Sequence, residues 1–316
     1  MADSDSLFYL KNQFYLRAYQ SVARNPPPQK DSPEYLPSLL YSARSLIALN
    51  QSDEALLLVS ADTLPAVRAV RALATYVKTK ASGGEVEPIL DELRDLTIEI
   101  ESEDEGVQGA GTSVVRVSAA TAFLQEGEVE EALTTLGAGA GGQDMECSYL
   151  TIQIYLSMNR IDLARKEYLY AKSHDADSLL LQIIEASIGL ASGGTPPLTL
   201  NAAYHIYDEQ AAAPGSSSNA NILAAKGIAY LLRGHYAEAG SMFNESLLID
   251  AKNSDALAGL AVTKGLSTKQ KDADESFEHL ISVLPSHPFV ADLVAKSALF
   301  DQARTQFAPS VPSSGK

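Results

Sequence analysis

Gly137-Ala-Gly-Ala-Gly-Gly142 carries the G-x-G-x-x-G spacing that lets a backbone approach a pyrophosphate, but that chemistry needs a strand before it and a helix after it. What precedes it is Glu128-Val-Glu-Glu-Ala-Leu-Thr-Thr-Leu136, a helical pattern, so the glycines read as a flexible connection between helices. The histidines His174, His205, His235, His279 and His287 show no metal-ligand spacing; the nearest pair is eight apart. Cys147 has no histidine or basic neighbour in sequence to lower its pKa, and on a helix beginning near Asp144 it reads as a small packed residue. Asn244-Glu-Ser246 matches a glycosylation acceptor, yet it falls mid-helix beside Phe243. No catalytic dyad, phosphate loop or zinc pattern emerges, which predicts a non-enzymatic chain without cofactor or metal.

The elements that carry these residues repeat. Gly227, Tyr230, Gly234, Tyr236, Ala239 and Phe243 recur 34 residues later as Ala261, Lys264, Thr268, Gln270, Ala273 and Phe277. Ala239 and Ala273 mark tight crossings of two antiparallel helices, with Phe243 and Phe277 one turn on filling the groove beside them. A helix-turn-helix unit of this length is a tetratricopeptide repeat. The same step from alanine to a bulkier residue appears upstream as Ala55/Val59, Ala132/Leu136, Ala164/Tyr168 and Ala203/Tyr207. Those alanines are spaced 77, 32 and 39 apart, then 36 to Ala239, and the long first gap holds two further helical patterns at 67–77 and 86–98. Insertions fall on Gly/Pro-rich connections such as Ser192-Gly-Gly-Thr-Pro-Pro197. The pattern predicts an all-α, tetratricopeptide-like right-handed α-solenoid of roughly eight helix pairs, one domain over 1–306, with a Pro/Ser-rich disordered tail at 307–316.

Turn chemistry supports the register independently. Asn50-Gln-Ser-Asp53, Glu126-Gly-Glu128, Met158-Asn-Arg160 and Arg233-Gly-His235 each place Gly or Asn where the chain must leave a helix with positive φ, and Ser52 or Asp53 could cap the next helix. Ahead of the first repeat, 7–24 reads as one amphipathic helix that stops at Asn25-Pro-Pro-Pro28, and a second helix follows over about 34–49. Thr97-Ile-Glu-Ile-Glu101 alternates like a strand but ends a helical pattern and runs into an acidic stretch, and reads as a solvated loop.

A net charge of -16 opposes association with a phosphate backbone or an anionic lipid surface. A lone cysteine suits a reducing compartment, and the acidic start Met1-Ala-Asp-Ser-Asp-Ser6 is unlike a secretory leader. No run of about 18 apolar residues exists to span a membrane.

In such a stack the first helix of each pair lines the inner surface. The register places Val117, Thr121 and Leu124 there in one unit, then Tyr149, Gln153 and Leu156, then Ala224, Ile228 and Leu231, then Ala258, Val262 and Leu266. From these, Val117, Leu124, Tyr149, Leu156, Ile228, Leu231, Val262 and Leu266 are the partner-binding candidates. Covering about 1,000 Å² of such a face would contribute on the order of 25 kcal/mol gross, before ordering costs remove most of it. That predicts a permanent protein partner. Two other occupancies compete: the chain's own neighbouring helices, or a peptide terminus gripped by a basic groove, for which Lys226 and Lys264 are the nearest candidates.

The chain resembles the epsilon-subunit family of coatomer over nearly its whole length. The resemblance rests on Leu7-Phe-Tyr-Leu-Lys-Asn-Gln-Phe-Tyr-Leu-Arg-Ala-Tyr-Gln20, Ala202-Ala-Tyr-His-Ile-Tyr-Asp-Glu209, Lys226-Gly-Ile-Ala-Tyr-Leu-Leu-Arg-Gly-His-Tyr-Ala-Glu-Ala239 and His287-Pro-Phe-Val-Ala-Asp-Leu-Val-Ala-Lys296. It implies a non-catalytic coat subunit that binds the C-terminal domain of the alpha subunit and curls its repeats into a bracelet around an extended segment of it. It further implies a cytoplasmic protein, peripheral on Golgi membranes and coated vesicles, serving Golgi-to-ER and intra-Golgi transport. No nucleic acid, small-molecule substrate or direct membrane contact is expected. The alternative without that resemblance is a general cytosolic tetratricopeptide scaffold binding short peptides.

Overall fold

The computed structural model describes residues 5–60, 63–102, 110–140, 144–193, 197–212, 219–267 and 270–307, and among them every regular element is a helix. Two compact units divide the chain, 1–216 and 217–316.

Among the described residues, unit 1 holds six helix pairs. They are α1 (Asp5–Tyr15) with α2 (Tyr19–Arg24), α3 (Tyr35–Ala48) with α4 (Ser52–Leu58), and α5 (Pro65–Ala81) with α6 (Glu87–Ser102). Then follow α7 (Ala110–Glu126) with α8 (Val129–Leu136), α9 (Met145–Ser157) with α10 (Ile161–His174), and α11 (Leu179–Ala191) with α12 (Pro197–Ala212). Unit 2 holds α13 (Ala220–Leu232) with α14 (Tyr236–Ile249), α15 (Ser254–Leu266) with α16 (Gln270–Val283), and then α17 (Pro288–Gln306). Eight pairs and a final helix match the repeat reading.

The alanine register is where the pairs close. Ala55, Ala132, Ala164, Ala203 and Ala239 are wholly buried and Ala273 nearly so, because a methyl is the largest side chain the helix crossing admits. Val59, Leu136 and Phe243, one turn on, are buried as well. Ring packing against glycine tightens unit 2, where Phe243 lies against Gly227 of α13 and Gly259 of α15.

Within pairs, one turn geometry recurs. Asn50, Asn159, Gly127 and Gly234 take φ of 59°, 58°, 85° and 80°. The amide three positions past the helix donates back to the helical carbonyl five residues earlier, as from Gln51 to Leu46 at 2.9 Å and from Arg160 to Tyr155 at 2.8 Å. Gly83 closes the α5–α6 turn in the same way.

Three local expectations change. The stretch 7–24 is two helices, because Arg17 adopts φ 59° and the Ala18 amide donates to the Gln13 carbonyl, making the same turn as in later pairs. Thr97-Ile-Glu-Ile-Glu101 belongs to α6, where Leu96 and Ile100 bury on one face while Ile98 faces outward. Neither Ser52 nor Asp53 caps α4; the tight turn makes Gln51 the boundary residue, and its side chain makes no capping bond.

In unit 1 successive odd helices touch one another, α1 to α3, α3 to α5, and onward through α11, and α1 also touches α11. The layer of odd helices is therefore the inner one, since helices on the inside of a curve are brought together. In unit 2, α13 and α15 touch in the same manner. Helix α17 is held through buried Val290 and by Phe289, whose ring meets Phe277 edge-on at 5.4 Å. Beyond Val290 the described residues of α17 are exposed. The expected tail beyond Phe307 lies outside the described residues.

Candidate protein-binding surface

The inner layer of unit 1 is organised by a buried ion pair. Arg44 sits in the apolar run Leu39-Leu-Tyr-Ser-Ala-Arg44-Ser-Leu-Ile47 of α3, and its guanidinium meets Glu146 Oε2 of α9 at 2.7 Å. Tyr41 and Tyr15 donate to Glu146 Oε1 at 2.7 and 3.1 Å. The Phe14 ring lies beneath Arg44, 4.7 Å from ring centroid to guanidinium carbon. Burial alone would raise the Glu146 pKa, but the Arg44 charge and the hydrogen bonds from Tyr41, Arg44 and Tyr15 outweigh it and hold the carboxyl lowered. Both tyrosines are raised, first by burial and next by that carboxylate. The cluster ties α1, α3 and α9 together. Sequence carried one signal of it, a lone arginine inside an apolar stripe, since a buried charge requires a partner.

Two concavities border the cluster. One, of about 380 Å³, is lined by Phe14, Tyr19, Arg44, Leu73, Val117 and Thr121. The other, of about 740 Å³, lies between α1, α3, the N-terminal turn of α9, and the 175–182 segment leading into α11. The first is lined in part by an expected inner-face residue, Val117, only 9% exposed.

The other expected positions distribute as follows. Leu124 packs on the main core of unit 1, and Tyr149 and Leu156 pack around buried Ile152, Ala164, Ile184 and Ile188. Tyr149 also lies within electrostatic reach of Tyr19 and Tyr207, whose pKa values are raised by burial, with Tyr149 adding to the rise and Arg17 opposing it. In unit 2, Ile228 and Leu231 lean on the Ala239–Phe243 cluster, Val262 is half-buried, and Leu266 at the end of α15 is 54% exposed. The structure thus gathers Val117 with Arg44, Phe14 and Tyr19, and places the unit 2 positions on α13 and α15.

The remaining chemistry-bearing residues take structural roles. Cys147 is buried, and burial, reinforced by Asp144, pushes its thiol up to about 12. Asn244 donates to the Gly240 carbonyl while Ser246, wholly buried, donates to the Ala220 carbonyl. Gly137 ends α8 in the left-handed conformation, and 141–142 of the glycine stretch lie outside the described residues. His235 and His287 stand at the starts of α14 and α17, and the His287 ring accepts from the Phe289 amide. Among the described residues, no cluster of His, Cys, Asp or Glu could hold a metal, and no helix is long and apolar enough to cross a membrane. Lys264, a candidate for a carboxylate-gripping groove, donates to Ser276 Oγ at 2.8 Å.

Comparison with known proteins agrees with this architecture. Among solved structures, the chain is similar to the Cut9–Hcn1 hetero-tetramer of the APC/C, with a TM-score of 0.57 at 14% identity, covering 91% of this chain and 53% of that one. It is also similar to a tetratricopeptide repeat protein from Parabacteroides merdae, with a TM-score of 0.51 at 13% identity, covering 92% and 98%. These likenesses show the fold. Coatomer subunit epsilon-1 of Arabidopsis thaliana is 26% identical over 98% of this chain and 99% of its own length. Coatomer subunit epsilon of Caenorhabditis elegans is 27% identical over 95% and 97%. The family model described as coatomer epsilon subunit matches residues 3–308, and the chain belongs to that family of structural, non-enzymatic coat components.

Proposed function

We propose that this chain binds and stabilises the C-terminal domain of the coatomer alpha subunit, as a peripheral coat component on Golgi membranes and vesicles in Golgi-to-ER and intra-Golgi transport. The observation that supports it best is the inner layer itself. Odd helices present partly exposed apolar side chains, with Tyr149 and Leu156 in unit 1 and Ile228, Leu231, Val262 and Leu266 in unit 2. Apolar residues left half-covered on an inner helical face suit a partner that stays bound, because each contributes only when water is excluded from both sides. A coat subunit of net charge -16 then reaches a membrane through other subunits rather than by attraction to anionic lipid.

The test is co-expression of the full chain with the C-terminal domain of the alpha subunit, followed by affinity purification at high salt. A stoichiometric complex that survives salt is expected, and Leu266→Asp or Ile228→Asp is expected to lose it while circular dichroism keeps the helical signal. Recovery of the chain free of the alpha subunit under those conditions would overturn the proposal. So would an assembly indifferent to both substitutions.

A further inference from the structure

The larger concavity of unit 1 has a charge pattern that selects its occupant. Its lining carries the carboxylates Asp144, Glu146, Asp175, Asp177 and Glu209. Against these stand Lys11 and Arg44. The buried pairing of Arg44 with Glu146 neutralises both, which leaves four carboxylates and one cation facing the space. Lys11 is close enough to Asp144 to act on its titration, while Asp175, Asp177 and Glu209 add further negative charge to the lining. All three of those residues are exposed.

Chemistry inside the rim is different. Leu36, Leu40, Met145 and Leu179 supply apolar wall, and Phe8, 59% exposed, adds an aromatic ring to the lining. Asn12, Gln182 and Gln210 add side-chain amides, each able to donate and accept, as the backbone of an extended strand requires. A volume of about 740 Å³ lies in the range of pockets that enclose a compact ligand, about 300–1,000 Å³.

We infer that this concavity receives an extended polypeptide segment in which Lys or Arg residues flank an apolar side chain, the cations meeting Asp175, Asp177 and Glu209 and the apolar group packing beside Phe8. This rests on the reading of the chain as a partner-binding coat subunit and names the chemistry of the segment it would hold. A segment with acidic flanks is rejected by the same rim, because like charges brought together across a partly covered space oppose binding.

The experiment measures fluorescence anisotropy of a labelled Ser/Thr-rich peptide carrying two Lys around a central Leu. Its twins replace Lys with Glu, or Leu with Ser. The full chain is compared with a rim variant, Asp175→Asn/Asp177→Asn/Glu209→Gln, and with a charge-matched control on unit 2, Asp255→Asn/Asp272→Asn/Glu278→Gln. Helicity of each is checked first. Expected are binding of the Lys peptide, about tenfold weakening by the rim variant, little change in the control, further loss with Phe8→Ala, and no binding of the Glu twin. Equal weakening by rim and control variants would show mere attraction to an acidic protein and overturn the inference. Binding of the Glu twin, absence of binding by the Lys peptide, or full displacement by spermine regardless of the Leu would each overturn it too. The partner reading is judged separately by whether the wild-type chain enters the coat in cells; loss of coat entry sinks that reading, whereas an unselective rim sinks only this one.

Discussion

Phe243 lies so close to Gly227 that a Cβ built on the glycine would stand 2.6 Å from Cε1 of the ring. The ring fills the space a side chain would occupy on α13, and Gly259 of α15 meets it in the same way. Two helices can therefore approach α14 only because both are bare at the crossing.

Helix propensity alone favours Gly→Ala by about 1 kcal/mol in a helix interior. Here the sign reverses. Gly227→Ala or Gly259→Ala forces a fully buried ring to move and is expected to destabilise unit 2 by about 1–3 kcal/mol. Gly240→Ala, whose Cβ would meet only Thr263 Cγ2 at an ordinary 3.8 Å, is expected to stabilise by up to about 1 kcal/mol. Urea denaturation of the three variants checks both signs, and a stabilised Gly227→Ala would refute the packing argument.

Breaking the Arg44–Glu146 pair should cost far more than a surface ion pair. Both side chains are about one-tenth exposed, so Glu146→Gln leaves a buried guanidinium uncompensated, an expected loss of about 3–5 kcal/mol. The double change Arg44→Met/Glu146→Leu should recover much of that loss, since no charge is then left unpaired. Hydrogen exchange of α1, α3 and α9 in the three proteins measures it.

The same carboxylate makes unit 1 sensitive to acid. Because the folded-state pKa of Glu146 is lowered, its contribution is fully present above the unfolded value of about 4.3 and is lost as pH falls through the folded value. Melting temperature of the wild type is expected to drop below about pH 4 more steeply than that of Glu146→Gln. Parallel curves would show that the pair does not govern the transition.

Two asparagines hold left-handed backbone that β-branched residues resist. Asn50→Gly is expected to raise stability by up to about 1 kcal/mol and Asn50→Val to lower it by about 1–2 kcal/mol, with Asn159 behaving alike. Thermal denaturation reads the ordering Gly above Asn above Val.

Cys147 should be silent toward thiol reagents in the native chain. A thiol pushed up to about 12 is almost wholly protonated at neutral pH, and its burial denies access as well. Maleimide labelling is expected only at the rate of unfolding, and rapid stoichiometric labelling of folded protein would contradict the packing around α9.

What the amino-acid sequence determined by itself was the local repeat. A buried alanine at Ala132, Ala164 or Ala239 and a Gly or Asn at the preceding turn position state their requirements within a few residues, through sterics and φ, so their register was legible without a fold. The break at Arg17 escaped that reading because nothing in an arginine announces a left-handed turn; the backbone is held there by the Gln13 carbonyl and by packing around it. Tertiary structure alone decided that Tyr41 and Tyr15 meet Glu146 across 105 and 131 residues. It also decided that acidic residues from the 175–177 connection and from α12 border one hollow with α1. Such meetings depend on the summed rotation of many stacked pairs, each set by how closely its helices cross, and a small change per pair moves distant side chains apart. Short-range sterics wrote the repeat, whereas accumulated curvature placed Phe8, Asp175 and Glu209 around the same space.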